Sequence, residues 1–176
     1  LAVQWIEVEG PLMDAWPPAG HRLLFGDLSQ APDPQRRGRV EVVSQNPDAD
    51  ARRILRDFMP RAFRRSVADE EVRPFLARVQ AKLKEGHSFE RALRAGLKAV
   101  LISPEFLFLR ERPGKLDDFA LANRLSYFLW SSMPDEELLA LAGKGGLGKA
   151  DALRGQVERM LRDPKAKAFT ENFAGQ

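Results

Sequence analysis

The chain has 176 residues, 44% of them hydrophobic and 30% charged, with 13 Gly, 12 Pro and no Cys. That balance fits a globular chain of one domain, or one domain and part of another, and excludes a low-complexity or wholly disordered sequence. The lack of Cys excludes a disulfide scaffold, a thiolate zinc site, an iron–sulfur cluster and a c-type haem attachment within this segment.

The formal charge of +3 is unevenly spread. Setting Lys and Arg against Asp and Glu gives −2 for residues 1–46, +5 for 47–113 and 0 for 114–176. A local basic stretch is a weaker sign of a nucleic-acid partner than a basic protein would be. No run approaches the ~20 apolar residues that a membrane-crossing helix needs. The chain starts at Leu1 inside a strand-like run with no leader pattern, which reads as a fragment and leaves the compartment open.

Residues 1–9 are rich in β-formers and stop at Gly10-Pro11, and Val40–Val43 is a second short strand candidate. Between them, Trp16-Pro17-Pro18 and Ala31-Pro32-Asp33-Pro34 predict loop, because each Pro removes a ladder donor. From Asn46 the spacing becomes helical. Asp48 or Asp50 can cap a helix with the stripe Ile54, Leu55, Phe58, Ala62 and Phe63, which Pro60 should kink or split. A second helix follows Val67, with Asp69, Glu70 and Glu71 in its first turn, and ends at Gly86.

Ser88 opens a third helix that Ser103-Pro104 breaks, and Glu105–Arg110 can be helical or extended. Asp117 opens a helix through Trp130 that is apolar around most of its circumference, which predicts a largely buried element. Pro134-Asp135-Glu136-Glu137 starts another helix, and the loop Gly145-Gly146-Leu147-Gly148 reads as flexible. Asp151 opens a further helix that Asp163-Pro164 stops, and residues 165–173 look like the start of one more. The expected fold is mainly α, an array of short antiparallel helices behind a small N-terminal β and loop remnant.

Three segments carry a family resemblance: Phe58–Arg65 (FMPRAFRR), Leu125–Leu138 (LSYFLWSSMPDEEL) and Glu171–Gln176 (ENFAGQ). They resemble the planctomycete-specific domains of unknown function, which occur in large secreted proteins that also carry c-type cytochrome domains. Residues 1–25 look like the segment leaving a carbohydrate-binding-like β domain. The resemblance implies three parts: 1–45 as the tail of that β domain and linker, 46–113 as a first helical module, and 114–176 as the truncated start of a second. It also implies a periplasmic or secreted parent, with haem c elsewhere in that parent and no cofactor in this fragment. Ser66 and Ala68 depart from the family's usual Pro and Thr; Ala68 offers no cap acceptor, which should weaken its helix start by roughly 1 kcal/mol.

The arginines Arg52, Arg53, Arg56, Arg61, Arg64 and Arg65 form either an anion or partner surface or a solvated helix face paired with neighbouring acids. Phe58 and Phe63 lie on the core stripe, so no aromatics are interleaved for base stacking, and nucleic acid is not expected. His21 and His87 show no metal-ligand spacing. The runs Glu70-Glu71, Asp117-Asp118 and Asp135-Glu136-Glu137 could be paired carboxylates for glycoside hydrolysis, but each falls in a helix first turn, where capping accounts for it.

Arg124 and Asn123 stand out in an apolar helix. They are expected to form a polar clamp on helix-terminal carbonyls or on a carboxylate such as Asp135 or Glu105. Trp130 is expected in the core, whereas Trp5 and Trp16 form either a domain seam or a glycan platform. The reading is a non-catalytic structural or interaction module whose partners are other domains of the parent chain, with polysaccharide as a second candidate. The alternatives are a helical part of a redox or polysaccharide-degrading enzyme whose catalytic residues lie elsewhere, and a glycan-binding surface.

Overall fold

The computed structural model describes residues 5, 7, 14–109, 111 and 113–175, and the chain divides into two compact units, 1–45 and 46–176. In the first unit, α1 (Ala19–Phe25) precedes β1 (Gln30–Pro32) and β2 (Val40–Val42), which pair antiparallel with Ala31 opposite Glu41. The expected strand over 1–9 lies largely outside the described residues. Helix α1 and strand β1 replace the loop expected there. Pro32 is tolerated because the ladder bonds fall on the odd positions, Val43 N–H to the Ser29 carbonyl (2.9 Å) and Asp33 N–H to the Arg39 carbonyl (2.8 Å). Pro32 faces Val40 at a position where no donor is needed.

The second unit begins with α2 (Pro47–Phe63), α3 (Asp69–Lys84), α4 (Phe89–Leu101) and the single turn α5 (Pro104–Leu107). Asn46, not Asp48 or Asp50, caps α2, its side chain accepting from the Ala49 amide; Asp48 instead accepts from Gln80 at 3.0 Å. Helix α2 runs unbroken through Pro60, since a proline one turn from the end removes a single ladder bond. Of its expected stripe, Ile54, Leu55, Ala62 and Phe63 are buried but Phe58 is only half-buried, and Met59, one residue and about 100° further round, is buried in its place; Val72, Leu76 and Val79 on α3 and Phe89, Leu93 and Val100 on α4 are buried too. Helices α3 and α4 approach so closely at Gly96 that a Cβ there would stand 2.5 Å from Val79 Cγ2. Ala68 lacks an acceptor, and the start of α3 is held from the other side: the Glu71 carboxylate accepts the Ala68 N–H at 3.0 Å.

The remaining helices are α6 (Asp118–Trp130), α7 (Glu136–Gly143), α8 (Ala150–Arg162), a 3-10 turn at Pro164–Ala166 and α9 (Lys167–Ala174). Ala122, Leu129, Trp130, Leu138, Ala142, Leu147 and Met160 form their core. Trp130 donates its indole N–H to the Met160 carbonyl at 2.9 Å. Asp117 and Asp135 cap α6 and α7 through the Ala120 and Leu138 amides. The glycine-flanked loop is anchored: Leu147 is fully buried and its N–H reaches Asp118 at 2.8 Å. Helix α6 is not apolar-buried all round, because Tyr127 and Phe128 face solvent. The chain is thus mainly α-helical, with nine α-helices and one two-stranded sheet among the described residues. No described helix is long and apolar enough to cross a membrane.

Candidate functional site

A cleft of about 670 Å³ opens within the second unit, between the α2–α3 turn, α5 with the segment after it, and the N-terminal turns of α6. Its floor is set by two polar residues that are more than nine-tenths buried, Arg64 and Asn123. Arg64 ends α2 in the left-handed region (φ 56°, ψ 33°), and its N–H bonds back to the Pro60 carbonyl. This conformation costs a non-glycine residue about 1 kcal/mol or more, and it persists where surrounding contacts fix it. Here Nη2 donates to the carbonyls of Phe106 (3.0 Å) and Glu105 (3.4 Å), and the guanidinium lies 5.8 Å from the Phe106 ring centre. The helix-terminal carbonyls of α5 thus receive a buried cation.

Asn123 meets Arg64 from the other side. Its Nδ2 donates to the Arg64 carbonyl (3.3 Å) and to the Phe119 carbonyl one turn earlier (2.9 Å). Among the described residues, Asn123 Oδ1 and Arg64 Nε are buried without a hydrogen-bond partner. A buried acceptor and a buried donor left unpaired each cost on the order of 1–3 kcal/mol, so they mark this floor as polar beyond what the fold uses.

Four carboxylates line the walls: Glu71, Glu105, Glu111 and Asp117. Arg65 grips Glu71 with both terminal nitrogens (2.6 and 3.1 Å); this hydrogen bond, with that from the Ala68 amide, holds the Glu71 carboxyl below its ordinary pKa against a smaller opposing effect of burial. Arg124 grips Glu111 in the same two-pronged way, with Nε at 2.9 Å, and lowers the Glu111 pKa chiefly through that bond. Phe108, Leu109 and Phe119 supply apolar wall, and Phe108 is 63% exposed on an extended backbone.

The sequence-derived candidates separate in space. Asn123 is buried and clamps a carbonyl, but Arg124, one residue and about 100° further round the helix, is exposed and pairs with Glu111, not with Asp135 or Glu105. The guanidinium that binds helix-terminal carbonyls is Arg64. The arginine cluster therefore does not form one face. Arg52 is exposed; Arg53 lies near Asp50 (3.7 Å), Arg56 pairs with Asp69 (2.9 Å), Arg61 pairs with Glu136, Arg65 holds Glu71, and Arg64 is inside.

Trp5 and Trp16 are exposed in the first unit, at 73% and 65%. His21 contacts Gln30 (3.0 Å) and the Phe25 ring, and His87 faces Glu85 at 3.5 Å. Among the described residues, no group of three or more His, Cys, Asp or Glu could hold a metal ion. Asp135 is engaged by Arg159 (2.7 and 3.1 Å). Burial opposes its ionisation, but Arg159 and the Leu138 amide together keep its carboxyl below the usual range.

Residues 50–111 match the family model described as PSD5, protein of unknown function (DUF1595), and residues 116–176 match that described as PSD4, protein of unknown function (DUF1592). The chain thus carries two consecutive domains of unknown function, and the cleft is lined from both. No curated protein and no solved structure matches the chain.

Proposed function

We propose that this chain is a non-catalytic structural or interaction module of a secreted, cytochrome-c-linked multidomain protein. One observation carries the non-catalytic part: the carboxylate runs that spacing offers as acid–base pairs are engaged in holding helix ends and guanidiniums. Asp117 caps α6, Asp118 takes the Leu147 amide, Asp135 caps α7 and binds Arg159, Glu136 meets Arg61, and Glu71 holds both Arg65 and the start of α3. Catalysis by a carboxylate pair needs at least one of the two to change protonation at working pH. Glu71 and Asp135, held ionised below their ordinary range, are poorly placed for that role.

The secreted, cytochrome-linked parent rests on the resemblance of the three motif segments. Its test is haem and location in the intact parent protein: a pyridine haemochrome spectrum and recovery from the periplasmic or extracellular fraction are expected. A haem-free cytosolic parent would overturn that part.

The second reading, a helical part of an enzyme, is favoured by the convergence of Asn123, Glu105 and Asp117 on an open cleft. Assay of the chain on polysaccharide and redox substrates separates the two. No turnover is expected. Turnover abolished by Glu105→Gln would establish the enzyme reading instead.

A further inference from the structure

The geometry points to the cleft between the two domains as a binding site for a neutral, polyhydroxylated ligand, an oligosaccharide. This goes beyond the structural reading, since a purely architectural module leaves the cleft unused. Its volume, about 670 Å³, lies within the ~300–1,000 Å³ usual for small-molecule sites.

The charge of the lining decides the class. Among the described residues, the carboxylates of Glu71, Glu105, Glu111 and Asp117 are set against the guanidiniums of Arg64 and Arg65, with Arg124 bound to Glu111, so the lining offers no cationic excess to hold an anion. A cation would need a carboxylate excess at the floor, but the floor holds the buried Arg64 guanidinium, and Glu71 and Glu111 are already neutralised by Arg65 and Arg124. What remains among the described residues is a set of fixed donors and acceptors in which four carboxylates stand against three guanidiniums. Salt-bridged carboxylates keep free lone pairs in known directions, because two-pronged guanidinium contacts lock their planes. Arg65, which also lines the cleft, sets its guanidinium N–H groups beside the Glu71 carboxylate. Vicinal hydroxyls, each both donor and acceptor, match such a mixed array.

An apolar surface completes the match. Phe108 lines the cleft yet is 63% exposed, so its ring is open to solvent. An aromatic face carries partial negative charge and attracts the polarised C–H face of a sugar ring.

The experiment is calorimetric titration of the chain with cellotriose, xylotriose and maltotriose as neutral probes. Glucosamine trimer serves as the cationic probe and a sulfated disaccharide as the anionic one. Saturable binding of at least one neutral trisaccharide at up to millimolar concentration is expected. Phe108→Ala should weaken it by about tenfold, and Glu105→Gln should weaken it too. Phe173→Ala, an equally exposed aromatic on α9, should leave it unchanged. Because Phe108 is exposed, its removal keeps the fold, which melting curves of all variants check. The proposal is overturned by no saturable binding of any neutral probe, by tighter binding of a charged one, or by neutral binding that Phe108→Ala leaves intact.

Discussion

Replacing Arg64 by Gly and by Ala separates the two things this residue does. Both variants lose the guanidinium that serves the Glu105 and Phe106 carbonyls, so their difference isolates the backbone. At φ 56° and ψ 33° the left-handed conformation penalises Ala by about 1–2 kcal/mol relative to Gly. The greater freedom of Gly in the unfolded chain returns about 0.4–1 kcal/mol of this. Arg64→Gly is therefore expected to be more stable than Arg64→Ala by about 0.5–1 kcal/mol, or about 2–4 °C in Tm for a unit of this size.

Against the parent, loss of hydrogen bonds from a charged donor costs about 1.5–3 kcal/mol, offset in part because no guanidinium needs to be buried. Both variants should fall below the parent, with Arg64→Lys between, since an ammonium keeps the charge but lacks the planar fork. Urea unfolding followed by far-UV circular dichroism reads the order. If Ala equals or exceeds Gly, residue 64 is not a left-handed cap. A Gly variant more stable than the parent would mean that the carbonyl contacts do not hold α5.

Three further outcomes follow from the packing. Gly96→Ala gains about 1 kcal/mol of helix propensity but drives a Cβ to 2.5 Å from the fully buried Val79 and 3.3 Å from the Phe75 carbonyl, an overpacking of about 1–3 kcal/mol. Urea unfolding should show a net loss near 1 kcal/mol, and an unchanged midpoint would mean that α3 and α4 part freely there. Trp130→Phe removes the indole bond to Met160 and should cost about 1–2 kcal/mol, read as a lower Tm; no change would mean that the bond is not formed in solution. Asp135 has a lowered carboxyl pKa in the fold, so its contribution is fully present above the unfolded value of about 3.9 and is lost as pH falls through the folded value. Asp135→Asn should flatten the acid side of the stability profile; a profile as steep as the parent's would assign the acid sensitivity elsewhere.

The helices were legible because their physics is local. Apolar spacing marks the buried stripes of α2, α3 and α4, and Asp117 and Asp135 announce α6 and α7 by capping chemistry that acts over three residues. The cleft was not legible in the same way. Its floor joins Arg64 to Glu105 and Phe106, 41 and 42 positions away, and to Asn123, 59 away. Within Arg61–Arg65 no residue type distinguishes the buried arginine from the exposed ones. Position 64 lies beyond the helix end, where the 3.6-residue period stops applying, and it holds the left-handed conformation that Gly or Asn usually signals. Asn123 was the one available clue, as an amide on an otherwise apolar face. Arg124 beside it drew attention for its charge, yet it faces solvent.

How the two domains meet also explains why a cleft exists there. Among the described residues, extended helix-on-helix packing stays within each domain: α2, α3 and α4 pack on one another, and α6 on α7, α8 and α9. The hydrogen bonds and ion pairs that cross include the buried Asn123 amide on the Arg64 carbonyl and the more exposed Arg124–Glu111 and Arg61–Glu136 pairs. Exposed pairs are worth about 0–1 kcal/mol each, so the buried amide contact does most to fix the register of α6 against the end of α2. An apolar seam would close to exclude water. A polar one tolerates an open, hydrogen-bonding gap at its centre, and a ligand with paired hydroxyls gains most from such a gap, because it satisfies groups on both walls at once.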